Sequence, residues 1–162
     1  MAASTPAIRA LTQAKVTHVV HSYPHDPRSD SYGDEAVAAL SQRVGAVAEQ
    51  IFKTLVVELS TGTMAVAVVP VPRSLSLKAV AAALGAPKAV MADKAKVQRM
   101  TGYVLGGVSP LGQKRVLPTV VDESALGWDR VLCSAGKRGL EIEVAPADLI
   151  RATTAVTANI GV

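Results

Sequence analysis

An α/β fold built on a strongly curved mixed sheet is what this chain predicts, on three observations. Candidate strands outnumber long helices, the turns between them are short, and no repeat, low-complexity tract or linker interrupts the 162 residues. Hydrophobic residues make up 49% of the sequence, enough to bury a core without staples, so residues 1–162 are expected to form a single domain.

The elements follow in order. Thr5 is placed to cap a short helix to Lys15, with Pro6 at its first position and Ile8 and Leu11 on one face. Val16–Tyr23 reads as a strand, ended by Pro24 and Pro27. The polar segment HDPRSDSYGD is a loop long enough to carry function. Helical spacing returns over Asp34–Val44, and Gly45 fits its C-terminal cap. A short turn or helix leads to a strand over Thr54–Leu59, which turns at Thr61-Gly62 into a second strand from Met64 to Val71. Ser74 or Ser76 can cap a helix over Leu77–Leu84, closed by Gly85. Lys88–Met91 reads as a short strand, and Asp93 can cap a helix over Lys94–Met100. Strands are expected at Leu117–Val121, Arg130–Ser134 and Leu140–Val144, with a last helix over Pro146–Thr153.

Composition excludes several functions. Aromatic residues are only 3% of the chain, too few for a sheet that stacks successive RNA bases. Seventeen Lys and Arg against thirteen Asp and Glu leave a charge of +4, compatible with an anionic ligand without requiring one. The single Cys133 excludes an internal disulfide framework and fits a reducing compartment. The opening MAASTPAIRALTQ has no apolar leader core and no run reaches a membrane-spanning length, so the expectation is a cytoplasmic protein without a membrane partner.

The most unusual stretch is TGYVLGGVSPLGQKR, residues 101–115, whose glycine content no packed helix or strand would tolerate. Its backbone N–H groups can converge on an anion or a polarised carbonyl oxygen, and Pro110 would hold it in one shape. His18, His21 and His25 suggest a metal cluster, but His18 and His21 lie three apart on a strand and point to opposite faces. No metal or cofactor is expected. Ser109 and Cys133 are potential nucleophiles without a nucleophile-elbow motif or a histidine placed to activate them. Neither a Walker-type phosphate loop nor a dinucleotide fingerprint is present. Lys53, just before an apolar strand, offers a point charge and three donors suited to a phosphate or an ester carbonyl.

The ordered series TPAIRAL, HSYPHDPRSDSYGDEA, QIFKTLVV, AVAVVPV, LSLKAVAAALGAPKAVMAD, VQRMTGYVLGGVSPLGQKRVLPTVVD and CSAGKRGLEIEV runs from Thr5 to the C-terminus. It closely resembles the YbaK/EbsC family of aminoacyl-tRNA deacylases, which is related to the editing domain of bacterial prolyl-tRNA synthetases. Within that family the pattern is most similar to the stand-alone deacylases that remove cysteine from tRNA(Pro). The resemblance implies a central mixed, barrel-like sheet flanked by helices. It also implies hydrolysis of a mischarged aminoacyl-tRNA, and prolyl-tRNA synthetase as a candidate partner.

The resemblance assigns residues too. Lys53 corresponds to the functional lysine and Gly106–Pro110 to a GxxxP loop, in which Gly107 would supply backbone donors to the substrate carbonyl. Thr54, Gly106, Ser109 and Pro110 accompany them as substrate-binding positions, and Tyr23, Tyr32, Ser134 and Glu141 fall at pocket positions. Lys114, Arg115, Lys137 and Arg138 would hold tRNA phosphates. Tyr32 stands where the cysteine-specific relatives usually have Phe, Glu141 where they have Asp, and Ala135 where they have Gly. The first two could reshape the amino-acid pocket, so alanine is an alternative substrate. A non-catalytic module that binds aminoacyl-tRNA or a synthetase is the rival from another class.

Overall fold

In the computed structural model, which describes residues 4–162, Thr5 opens the first helix by accepting a hydrogen bond from the Ile8 N–H. Pro6 occupies the first helical position of α1 (Pro6–Gln13), where its missing N–H costs nothing, and Ala7 and Leu11 are fully buried. The chain continues through β1 (His18–Ser22), a polar loop and α2 (Tyr32–Val44), then a single 3-10 turn at Ala48–Gln50. An antiparallel hairpin follows, β2 (Phe52–Leu59) and β3 (Met64–Pro70). Next come α3 (Leu77–Ala83), β4 (Ala89–Met91) and α4 (Lys94–Thr101). Ser76 and Asp93 cap α3 and α4 as their side chains suggest. After the glycine-rich loop come β5 (Thr119–Asp122), a 3-10 helix at Glu123–Gly127, β6 (Val131–Lys137), β7 (Leu140–Val144), α5 (Pro146–Thr153) and β8 (Val156–Ala158).

Several features depart from the sequence pattern. Helix α2 starts at Tyr32, two residues before Asp34. Strand β6 runs on to Lys137 across an irregularity between Ser134 and Lys137, and β8 was not anticipated. The largest departure is in the sheet. The strands do not close into the expected barrel-like sheet; they form two open sheets, one of order β1-β7-β6 and one of order β4-β2-β3-β5-β8. The first is antiparallel throughout. The second is mixed, because β5 and β8 pair in parallel. A single parallel bridge, Ile51 to Leu132, joins them.

Strand β3 is buried along its whole length, so both its faces are apolar. Val66 and Val68 face the interior with Phe52, Cys133 and Ile142, whereas Ala65 and Ala67 pack with Val80 of α3. Helix α2 covers the joint between the sheets, where Ala36 and Leu40 cluster with Ile51 and Leu132. Among the described residues no helix is long and apolar enough to cross a membrane.

The C-terminal end is tied down by one buried carboxylate. Asp122, 1% exposed, accepts hydrogen bonds from the Ile160 and Gly161 N–H groups at 2.9 and 3.0 Å and from Ser124 through its N–H and hydroxyl. Burial alone would raise its pKa, but these donors outweigh burial and hold it below the ordinary value. Asp122→Ala strands two buried amides, so a loss of about 3 kcal/mol in urea unfolding is expected. Because the folded pKa is depressed, the wild-type advantage is fully present above the unfolded aspartate value of about 3.9 and disappears as pH falls through the folded one. A gap between the two proteins that does not shrink in acid would show that the charge is not what holds this end.

Candidate active site

Strands β2 and β6 leave the Ile51–Leu132 bridge in the same direction and do not pair again, so a cleft opens between them. It holds a cavity of about 370 Å³. Lys53 and Thr54 of β2 line one wall and Ser134 of β6 and Glu141 of β7 another; Tyr32, Gly33 and Asp34 in the first turn of α2, with Leu105, Gly106 and Val108 of the glycine-rich loop, complete it. Six of the residues singled out from the sequence therefore meet: Tyr32, Lys53, Thr54, Gly106, Ser134 and Glu141.

The cavity is polar in an uneven way. The Lys53 ammonium is half-buried and donates to the Val71 carbonyl at 3.2 Å. Burial lowers its pKa, and the Asp34 carboxylate partly offsets this. Glu141 is only 7% exposed, and burial pushes its carboxyl up to about 8, with the neighbouring Tyr23 phenol pulling it partly back. Tyr23 is itself raised by burial and by the Glu141 and Glu35 carboxylates. Among the described residues neither Thr54 Oγ1 nor Glu141 Oε2, both buried, has a hydrogen-bond partner. Buried polar atoms left open in this way are what a ligand would satisfy.

The glycine-rich loop is held from several sides. The Tyr103 hydroxyl donates to the Leu111 carbonyl at 2.6 Å, and Ser109 is fully buried with its Oγ accepting from the Leu111 N–H. Gly106 has φ +83°, and a Cβ there would lie 2.6 Å from the Tyr32 ring. A Cβ on Gly107 would come within 3.1 Å of the Lys137 Cα, so the β6–β7 turn seats directly on the loop. The Gly107 N–H is already used, donating to the Val104 carbonyl at 2.9 Å. Among the described residues the amides of Gly106 and Val108 have no hydrogen-bond partner, and both residues line the cavity.

The remaining predicted residues sit elsewhere. Tyr23 lies behind the wall, and Gly107, Ser109 and Pro110 are buried within the loop. Lys114, Arg115 and Lys137 are exposed and off the cavity wall. Arg138 is off it too, but its guanidinium lies 4.6 Å from the Tyr32 ring centroid and its Nε donates to the Leu105 carbonyl at 2.8 Å. Cys133 is fully buried, and burial raises its thiol pKa, so neither it nor Ser109 is presented as a nucleophile. His21 and His25 pair with Glu143 and Glu35, and among the described residues no three metal-binding side chains cluster. Asp34 is the residue the sequence reading missed. It lies in the polar loop-to-helix segment that was marked as functional, but nothing local says that it faces Lys53.

The family model described as the aminoacyl-tRNA editing domain matches residues 34–152. The chain belongs to the aminoacyl-tRNA editing domain family. It is 35% identical over 156 residues to a protein of Enterococcus faecalis provisionally named Cys-tRNA(Pro)/Cys-tRNA(Cys) deacylase EbsC, covering 96% of this chain and 92% of that one. A solved structure described provisionally as a trans-editing enzyme for prolyl-tRNA synthetase superposes with a TM-score of 0.81 at 28% identity, over 99% of both chains. A hypothetical protein, APE2540, superposes with a TM-score of 0.84 at 26% identity, over 98% of this chain and 100% of that one. The matched segment of the editing domain begins at Asp34 and contains Lys53, the glycine-rich loop and Glu141.

The raised pKa of Glu141 has a measurable effect on stability. An unfolded glutamate ionises near 4.3 and the folded one near 8, so between these values the folded state holds the extra proton and stability falls as pH rises. Glu141→Gln removes that titration. Its melting temperature relative to wild type is expected to climb between pH 5 and 8 and to level off above; a pH-independent difference would place the Glu141 carboxyl in an ordinary environment.

Proposed function

We propose that this editing domain hydrolyses the ester joining a small amino acid to the 3′ end of a mischarged tRNA, cysteine on tRNA(Pro) being the foremost substrate. The observation that carries the reading is one cavity of about 370 Å³ lined by Lys53 and by Gly106 and Val108, whose amides have no hydrogen-bond partner among the described residues. A cation and converging backbone donors around a carbonyl are what ester hydrolysis requires, since negative charge grows on that oxygen in the transition state.

In this reading the amides receive the carbonyl oxygen and Lys53 fixes the ester against the terminal ribose. Water, helped by a group of the substrate, attacks the carbonyl carbon. The bond to the ribose oxygen breaks, that oxygen takes up the proton, and free amino acid and uncharged tRNA leave. Neither Cys133 nor Ser109 is placed to attack, so positioning and oxyanion stabilisation supply the acceleration. Tyr32, Thr54, Ser134 and Glu141 surround the amino acid. The exposed Lys114, Arg115 and Lys137 contact phosphates. Residues 1–162 act as one domain in the cytoplasm, with prolyl-tRNA synthetase as the partner that supplies tRNA. The names carried by the similar proteins support the substrate class and this partner.

The test uses tRNA(Pro) charged separately with cysteine, alanine and proline, and follows loss of the esterified amino acid. Selective loss of cysteine is expected, and Lys53→Ala should lower kcat/KM by about a hundredfold or more while leaving the melting temperature nearly unchanged. Loss of alanine instead would trace to Tyr32 and Glu141. Tight binding of every charged tRNA without turnover would make the protein a binding module.

A further inference from the structure

We propose that Arg138 is a positioning residue that orients the Gly106 amide through the Leu105–Gly106 peptide plane, rather than a contact to tRNA phosphate. The inference rests on the deacylase reading for its kinetic consequence, but its geometry stands apart from it. Arg138 does not line the cavity; it acts on residues that do.

Its guanidinium touches two of them. The group stacks 4.6 Å from the Tyr32 ring centroid, and Nε donates to the Leu105 carbonyl oxygen at 2.8 Å. The Leu105 carbonyl and the Gly106 N–H belong to one peptide unit, which is planar and trans, so fixing the oxygen at one edge fixes the N–H at the other. Among the described residues that N–H has no hydrogen-bond partner, and Gly106 lines the cavity wall. A cationic donor on the carbonyl also polarises the peptide and makes its N–H a better donor.

The surroundings leave the plane little freedom. A Cβ on Gly106 would lie 2.6 to 2.7 Å from the Tyr32 ring, and one on Gly107 would lie 3.2 Å from the Arg138 N, so α2, the loop and the β6–β7 turn meet at these two glycines. Arg138 is the side chain that spans all three. Lysine is a poor replacement: an ammonium has no planar face to stack on Tyr32 and cannot at the same time offer a sideways Nε–H part-way along the stem.

Arg138→Ala, Arg138→Lys and Lys137→Ala would be assayed beside wild type and Lys53→Ala at several salt concentrations. For both Arg138 variants the expected result is a fall of about tenfold in kcat, with KM within about twofold and the salt dependence of kcat/KM unchanged. Lys137→Ala should instead raise KM and flatten the salt dependence. Recovery by lysine, or a raised KM with a flatter salt dependence at position 138, overturns the proposal in favour of a phosphate contact. Amide hydrogen exchange supplies an activity-independent reading: the Gly107 N–H, bonded to Val104, should lose about tenfold or more of its protection in both variants at an unchanged melting temperature. Unchanged exchange there overturns the proposal even if kcat falls. Should the alanine variant lose its cooperative melt, the lysine variant carries the same test. If wild type hydrolyses no charged tRNA, the deacylase reading fails, and the exchange result still decides whether Arg138 holds the loop.

Discussion

The single parallel bridge between Ile51 and Leu132 is the constraint on which the rest of the molecule depends. Two strands that run the same way and pair only once must leave a gap beyond the bridge, and something has to fill or roof it. Here β2 goes on to pair with β3 and β4, and β6 with β7, and no strand pairing between the two sheets spans the gap beyond the bridge. Helix α2 covers the apolar side through Ala36 and Leu40, and the glycine-rich loop covers the other. The cavity is thus a consequence of sheet topology, and its polar lining follows from which side chains fall just past the joint: Lys53 and Thr54 on one strand, Ser134 on the other.

A loop that roofs such a gap must approach two neighbours closely, and this is why it is rich in glycine. At Gly106 the obstacle is the Tyr32 ring and at Gly107 the backbone of Lys137 and Arg138, and any side chain would force one of these surfaces away. The loop gains rigidity from Tyr103, Ser109 and Pro110, which are buried beneath it. Rigidity matters because an amide that must be reoriented during the reaction stabilises charge less well than one already aimed. The same close packing buries Ser109 and Pro110, expected from the sequence as substrate-binding positions, within the loop, where Ser109 Oγ accepts from the Leu111 N–H.

Much of this could be read from local chemistry. Thr5, Ser76 and Asp93 cap helices because their side chains accept from free helix amides, and the β2–β3 hairpin follows from two apolar runs around Thr61-Gly62. What depends on distant pairing was not legible. Strand β8, three residues long and mostly exposed, exists because β5 offers it an edge. The division into two sheets depends on β2 and β6 parting after the one bridge, and no periodicity encodes where they part. Lys53, Tyr32, Gly106 and Glu141, which motif and resemblance singled out, line one cavity. The partnership of Arg138 with Leu105, 33 positions away, was not legible, because a basic residue in a turn looks the same in sequence whether it meets phosphate or a carbonyl.

The electrostatic layout of the cavity points to how an ester could be cleaved without a protein nucleophile. The Cys133 thiol is buried with a raised pKa and Ser109 is fully buried, so neither of the two candidate nucleophiles is presented to the cavity. The residues that line the cavity include a cation tempered by Asp34, the loop residues Gly106 and Val108 with amides unpaired among the described residues, and a carboxyl whose pKa burial raises to about 8, a set suited to holding charge that develops on substrate oxygen. Keeping Glu141 protonated removes a negative charge that would repel a developing oxyanion, and burial alone achieves this. A fixed anion close to the reacting carbonyl would weaken the amides and Lys53 together. In the proposed mechanism, burying Glu141 would serve the same end as orienting the loop, because both would concentrate the stabilisation on the one atom whose charge changes during hydrolysis.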